Sequence, residues 1–193
     1  MQDLTSEYWN ERYINASTGW DLGDVSPPIK EYVNQLKDKS IKILIPGCGN
    51  AHEAEFLHKN GFTNVHLLDF AEAPLVEFKQ RVKDFPQEHL HQDDFFKHEG
   101  KYDLIIEQTL FCAIDPSLRD NYVSTVSRLL ATKGKLVGLL FNCYFEAGPP
   151  FGGELKEYQK QFLAQFKNVI MEPCHNSIGP RLGKELFIRV QKD

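Results

Sequence analysis

The 193-residue chain has no basic surplus: 22 Lys and Arg stand against 27 Asp and Glu, a formal net charge of -5. Proteins held by nucleic-acid phosphates carry an excess of positive charge, so nucleic acid is not an expected partner. Anionic membrane surfaces are disfavoured on the same ground. No run approaches the ~18 apolar residues that cross a bilayer. The N-terminal MQDLTSEYWNERY has neither a basic nor an apolar targeting region, so no secretory signal is expected. Cysteine is scarce. Cys48, Cys112, Cys143 and Cys174 lie far apart and form no CxxC pair, which excludes the common zinc and redox motifs. Free, buried thiols in a reducing cytosol are expected instead. Seven histidines are scattered. His89 and His91 share one face of an expected strand, but no third ligand is spaced beside them, so no metal site is expected.

What is present is a globular composition, 41% hydrophobic and 25% charged. The length suits one domain over residues 1–193. Ile41 to Ile45 is a short β-branched run before a glycine turn, which predicts a buried strand. Asn50 is placed to cap a helix in which Ala51, Ala54 and Leu57 share a face, with Gly61 as its stop. A second strand covers Val65 to Leu68 and ends at Asp69. A helix carrying Pro74, Leu75, Phe78 and Val82 follows. Tyr102 to Ile106 is another strand, and Asp115-Pro116 starts a helix that runs towards Leu129-Leu130 and stops at Lys133-Gly134. Lys135 to Phe141 is the next strand. Leu155, Tyr158, Phe162 and Phe166 mark an amphipathic helix, and two strand-like runs, 168–171 and 185–190, close the chain as an expected hairpin. Strands alternating with helices predict an α/β fold with a mostly parallel sheet covered on both faces and an antiparallel last strand. Residues 1–40 differ: they are aromatic and polar, with a break at Ser26-Pro27-Pro28, and read as an added lid segment on a Rossmann-like core over 41–193.

In open α/β sheets ligands bind at the carboxyl ends of the strands. Gly47-Cys48-Gly49 falls at that end of the first core strand, where glycine lets a ligand approach the backbone. Asp69 falls at the same end of the second, about twenty residues on, where an acid accepts from a ribose diol. The dinucleotide fingerprint calls for a third glycine where this chain has His52, which argues against a nicotinamide cofactor. Tyr8, Trp9, Tyr13 and Trp20 crowd the N-terminal segment. Trp9 and Tyr13, four apart, share a helix face. They serve either as packing anchors or as a lid whose ring faces attract a cationic ligand.

The segments YWNERY, GWDLGDVSPP, PGCGNAHE, HLLDF, DDFF, AIDPSLRDNY and GPPF, in that order from residue 8 to 151, resemble the class I S-adenosylmethionine-dependent methyltransferases. More narrowly they resemble the thiopurine methyltransferase family, with its halide and thiol methyltransferases. The resemblance implies S-adenosyl-L-methionine as cofactor and S-adenosyl-L-homocysteine as product. It implies cofactor contacts from the aromatic lid positions Trp9, Tyr13 and Trp20, with Tyr13 standing where tryptophan is more usual. Gly47 and Gly49 match the turn under the methionine part and Asp69 the ribose acid. Asp94 and Phe95 match the adenine edge, and Glu107 and Gln108 the pair ending the fourth strand. The neighbouring Asp93 reads as a solvated loop residue. On the acceptor side Phe111, Arg119, Tyr122 and the Pro149-Pro150-Phe151 loop match family positions. Arg119 reads equally as a partner of Asp115 or Asp120, and Tyr122 as core.

The implied reaction moves a methyl group by in-line displacement to a small thiol, thiopurine-like or halide acceptor. Such acceptors need alignment more than a base, so the lack of a Ser-His-Asp or Cys-His set is no obstacle. Phe96, Phe111, Phe145 and Phe151 are available to line an apolar acceptor pocket. The alternatives are methylation of a small molecule at oxygen or nitrogen, a non-catalytic binder of the same cofactor, and a nicotinamide oxidoreductase. A small-molecule acceptor, no nucleic-acid or membrane partner, a cytoplasmic location and a monomer complete the expectation.

Overall fold

The computed structural model describes residues 4–193; the first three residues of the expected lid segment lie outside the described residues. Fourteen α-helices and strands follow in the order α1 (Ser6–Ile14), α2 (Pro27–Asn34), β1 (Ile43–Pro46), α3 (His52–Lys59), β2 (Val65–Asp69), α4 (Glu72–Arg81), β3 (Leu90–Gln92), β4 (Tyr102–Gln108), α5 (Leu110–Ala113), α6 (Arg119–Leu129), β5 (Leu130–Phe141), α7 (Leu155–Leu163), β6 (Asn168–Pro173) and β7 (Glu185–Gln191). The strands form one seven-stranded sheet in the order β3-β2-β1-β4-β5-β7-β6. The first five run parallel, and β7 inserts antiparallel between β5 and β6. The expected terminal hairpin is therefore present.

Strand alternation divides the core between the two faces of the sheet. Leu44, Ile105 and Leu136 face one way, against Tyr122 and Val126 of α6 and Phe162 of α7. Ile43, Ile45, Leu104, Ile106 and Val137 face the other way, against Ala54 and Leu57 of α3 and Phe78 of α4. Ile29 and Val33 of α2 belong to this second cluster. Ser26-Pro27-Pro28 is thus a helix start rather than a break: the prolines occupy the first helical positions, where a missing N–H costs nothing. Because α2 packs into the core, the expected boundary at residue 40 falls within packed structure.

Asp115 accepts from the Ser117 N–H and starts a short 3-10 turn that leads into α6. The helix ends at Leu129, earlier than expected, and Leu130 already pairs in the sheet with Tyr102. Lys133-Gly134 therefore lies inside β5, where Lys133 takes φ 63° and the pairing register with β4 shifts between Tyr102 and Leu104. Chain connections leave β1 in one direction towards β2 and β3, and in the other towards β4 and β5. This switch point opens a crevice above the carboxyl ends of β1 and β4. No helix among the described residues is long and apolar enough to cross a membrane.

Candidate active site

The glycine turn after β1 is tight. Gly47 and Gly49 take φ 56° and 51°. A Cβ on Gly47 would lie 2.9 Å from Leu110 Cδ1, and one on Gly49 would lie 2.5 Å from the Tyr13 hydroxyl. Asn50 does not cap α3. Ala51 holds that place with a left-handed φ of 56°, and the Asn50 amide donates to Asp21. Asp21 also meets His52 Nε2 at 2.9 Å and accepts from the Gly23 N–H at 2.8 Å. The His52 contact holds the Asp21 carboxyl well below its usual range, and the same contact raises the His52 imidazole. The position where a third glycine is missing thus fastens the N-terminal loop to α3.

Asp69 closes the turn from the neighbouring strand. Its Oδ2 accepts from the Gly49 N–H at 3.0 Å and its Oδ1 from the Ala71 N–H at 2.9 Å. Burial pushes its carboxyl up to about 6, against the two backbone donors. After β3, Asp94 accepts from the Phe96 N–H at 2.9 Å and meets Lys97 at 3.4 Å on its outer side. Asp93 is an exposed loop residue, as expected; it also lines the cavity beside Asp94, and its Oδ2 meets His98 Nδ1 at 3.4 Å.

A cavity of about 420 Å³ runs along these strand ends. Trp9, Tyr13 and Trp20 line it, with the Trp20 ring edge-on to the other two at 5.4 and 5.8 Å. Gly47, Asp69, Asp94 and Phe95 line it too. Tyr13, Trp20, Gly47 and Thr109 are shared with a small neighbouring cavity of about 50 Å³, which holds Gly49, Asn50 and Gln108. There the buried Asn50 Oδ1 and Gln108 Oε1 have no hydrogen-bond partner. Buried acceptors are seldom left unpaired without a reason. A ligand ammonium can donate to both, a ribose diol can donate to Asp69, and an adenine amino group can donate to Asp94 with its ring against Phe95. This set of groups fits S-adenosylmethionine.

Five other expected residues stand behind the wall. Glu107 is fully buried; Oε1 accepts from the Phe111 N–H at 2.9 Å and Oε2 from the Tyr122 hydroxyl. Strand alternation explains the misplacement: Glu107 follows Ile105 towards α6, whereas Gln108 follows Ile106 towards α3. Phe111 and Tyr122 are core rings 5.0 Å apart. Arg119, only 1% exposed, donates from Nη2 to the Phe151 and Gly152 carbonyls at 3.0 Å each. Its guanidinium lies 4.8 Å from the Phe111 ring centroid and 5.4 Å from that of Tyr158, and its Nε has no partner. Neither Asp115 nor Asp120 pairs with it; Glu157 stands 3.8 Å away. Arg119 thus braces the loop whose Pro149 and Pro150, but not Phe151, reach the cavity. Phe96 lines the cavity; Phe145 packs instead on Phe141.

Sequence reasoning passed over Leu110, Cys112, Ile114 and Leu118, which form the far wall. Their signal was position alone, directly after the carboxyl end of β4. It also missed that His66 joins His89 and His91, with ring centroids 4.1 and 5.2 Å away. Among the described residues no group of three or more His, Cys, Asp or Glu is placed to hold a metal ion.

Solved structures share this architecture. One is the 1,6-didemethyltoxoflavin-N1-methyltransferase of Burkholderia thailandensis with bound 1,6-didemethyltoxoflavin and S-adenosylhomocysteine (TM-score 0.75, 14% identity, 98% of this chain and 87% of that one). Another is the glycopeptide N-methyltransferase MtfA complexed with S-adenosyl-L-homocysteine (TM-score 0.70, 12% identity, 88% of this chain and 90% of that one). At such identities the likeness is one of fold, that of the class I methyltransferases. The family model for thiopurine S-methyltransferase (TPMT) matches residues 4–181, and the chain belongs to that family. Curated relatives include a probable thiol methyltransferase 2 from Arabidopsis thaliana, 27% identical over all of this chain and 88% of its own. Thiocyanate methyltransferase 1 from Brassica oleracea is 27% identical over 95% of this chain and 84% of its own. A thiopurine S-methyltransferase from Vibrio parahaemolyticus is 26% identical over 97% and 95%.

Proposed function

We propose that this protein is an S-adenosylmethionine-dependent methyltransferase acting on small thiol-type acceptors by in-line displacement. One observation carries the reading: Asp69, the glycine turn and the unpartnered acceptors Asn50 and Gln108 converge under three aromatic rings at the switch point of the sheet. In this reading Asp69 takes the ribose hydroxyls, Asp94 and Phe95 the adenine, and Asn50 with Gln108 the ammonium. Trp9, Tyr13 and Trp20 cover the bound molecule and shut out water, and their ring faces favour its positive charge by ~0.5–2 kcal/mol.

The cofactor supplies a methyl group on a sulfonium, already a good electrophile. Held there, it would give that methyl to an acceptor sulfur and depart as a neutral thioether, keeping the electron pair of the broken bond. Alignment of the two sulfurs can supply ~7–11 kcal/mol. Full ionisation of a thiol of pKa ~8.5 is worth only ~2 kcal/mol at neutral pH. The cavity matches that ranking. Its far wall is mostly apolar, and Glu107, whose carboxyl burial raises to about 7, is sealed behind it. The acceptor therefore arrives as its own thiolate, without a general base.

A cytosolic, monomeric enzyme completes the reading, and its four free cysteines suit a reducing compartment. Incubating the protein with S-adenosylmethionine and a panel of thiols, catechols and amines, read by mass spectrometry, tests the proposal. S-methyl products are expected. Methylation of catechols or amines with none of the thiols would contradict it.

A further inference from the structure

We infer that Asp115 is a specificity-determining residue: it sets the acceptor half of the cavity against anionic molecules, favouring thiols with uncharged, apolar tails. The inference rests on the methyltransferase reading and narrows its acceptor class.

The strand order fixes which half is which. Asp69 and Asp94 follow β2 and β3, so a nucleoside held by them lies towards that edge of the sheet. The opposite half, after β4 and β5, is left for the acceptor. Its walls are Leu110, Ile114, Leu118, Pro149 and Pro150. Cys112 is also there, but burial pushes its thiol up to about 12, so it carries no charge at neutral pH. Asp115 is the sole charged side chain of this half.

That charge is pinned. The Asp115 carboxylate accepts from the Ser117 N–H at 2.8 Å and from the Ser117 hydroxyl at 2.6 Å. These bonds hold its carboxyl below the usual range. No cation pairs with it directly; the buried Arg119 acts on it only from a distance, and helps keep it ionised. The described lining contains Asp69, Asp93, Asp94 and Asp115, and no Lys, Arg or His. Lys97 meets Asp94 from outside, and Arg119 is sealed behind the Phe151 and Gly152 carbonyls.

The attacking sulfur does not suffer from this field, because its own charge vanishes as the new bond forms. A carboxylate on the tail keeps its charge through the whole reaction. It would give up water for an apolar wall with a fixed like charge at its edge, and like charges set against each other suppress the wrong partner.

Asp115→Asn tests this with little risk to the fold, since asparagine caps a helix start as well as aspartate does. The matched pair is thiophenol and 4-mercaptobenzoate, compared by kcat/KM at fixed ionic strength. Wild type is expected to prefer thiophenol, and Asp115→Asn to lower that preference about three- to tenfold. The unreactive products, thioanisole and 4-(methylthio)benzoate, give an independent readout by calorimetry on the S-adenosylhomocysteine complex. Their affinity ratio is expected to shift in the same direction. Equal use of both thiols by wild type, or a ratio that the substitution leaves unchanged, would overturn the inference. If no acceptor is methylated, the methyl-transfer reading fails, and the thioether affinities alone decide whether Asp115 discriminates.

Discussion

Asp69 carries two demands that pull its ionisation in opposite directions. Burial raises its carboxyl to about 6, while a ligand diol donating to it favours the charged form. Binding should therefore lower its pKa and release a proton wherever the free protein holds one. The affinity for S-adenosylhomocysteine is expected to rise from pH 5 to pH 7 and to level off above that. Calorimetry in two buffers of different ionisation enthalpy checks both affinity and proton release. An affinity that is flat across this range would show that Asp69 does not hold the ligand. At this scale much of the site was legible. Gly47 and Asp69 stand at strand ends that apolar runs mark plainly, Asp94 and Phe95 follow from the family resemblance alone, and all four line the cavity. Glu107 is the exception, because an acid's chemistry is visible in the sequence but the direction of its side chain is not. One step along β4 decides between cavity and core.

Among the elements, the stretch from β4 through α5 to α6 is held by one buried carboxyl. Glu107 pairs with the Phe111 N–H and the Tyr122 hydroxyl, and so fixes the segment that carries Leu110 and Cys112. Burial raises its carboxyl from 4.5 to about 7. The folded protein then binds more protons than the unfolded chain between those values, so stability falls as pH rises through that window. Glu107→Gln removes the titration and keeps an acceptor for Phe111. Relative to this variant, wild type is expected to lose up to about 3 kcal/mol between pH 4.5 and pH 8, read by urea unfolding. A difference that does not change with pH would contradict the assignment. The elements themselves were largely readable, because short β-branched runs and capping pairs are local signals. Two junctions were not. Leu129 and Leu130 continue an apolar rhythm, yet the first ends α6 and the second begins β5. Ser26-Pro27-Pro28 reads as a break, although proline at the first helical positions equally starts a helix.

For the molecule as a whole, function follows from where crossovers bring distant segments. Trp20, Gly47, Asp69 and Leu110 meet because β1, β2 and β4 are neighbours in a parallel sheet whose carboxyl ends open on the same side. Alternation of strands and helices predicts such a sheet, but not which far-wall residues complete its crevice. Leu118 and Ile114 acquire their role only through the path of the chain after β4. Charge follows the same layout. An acidic protein lines its crevice with four carboxyls and covers it with aromatic rings, a setting suited to a cationic methyl donor.

The most direct measurement is calorimetric titration of wild type and Asp69→Ala with S-adenosylhomocysteine at neutral pH. One molecule is expected to bind per chain, with the affinity of Asp69→Ala reduced by about tenfold or more. No binding at millimolar ligand, or equal affinity in the two proteins, would contradict the account.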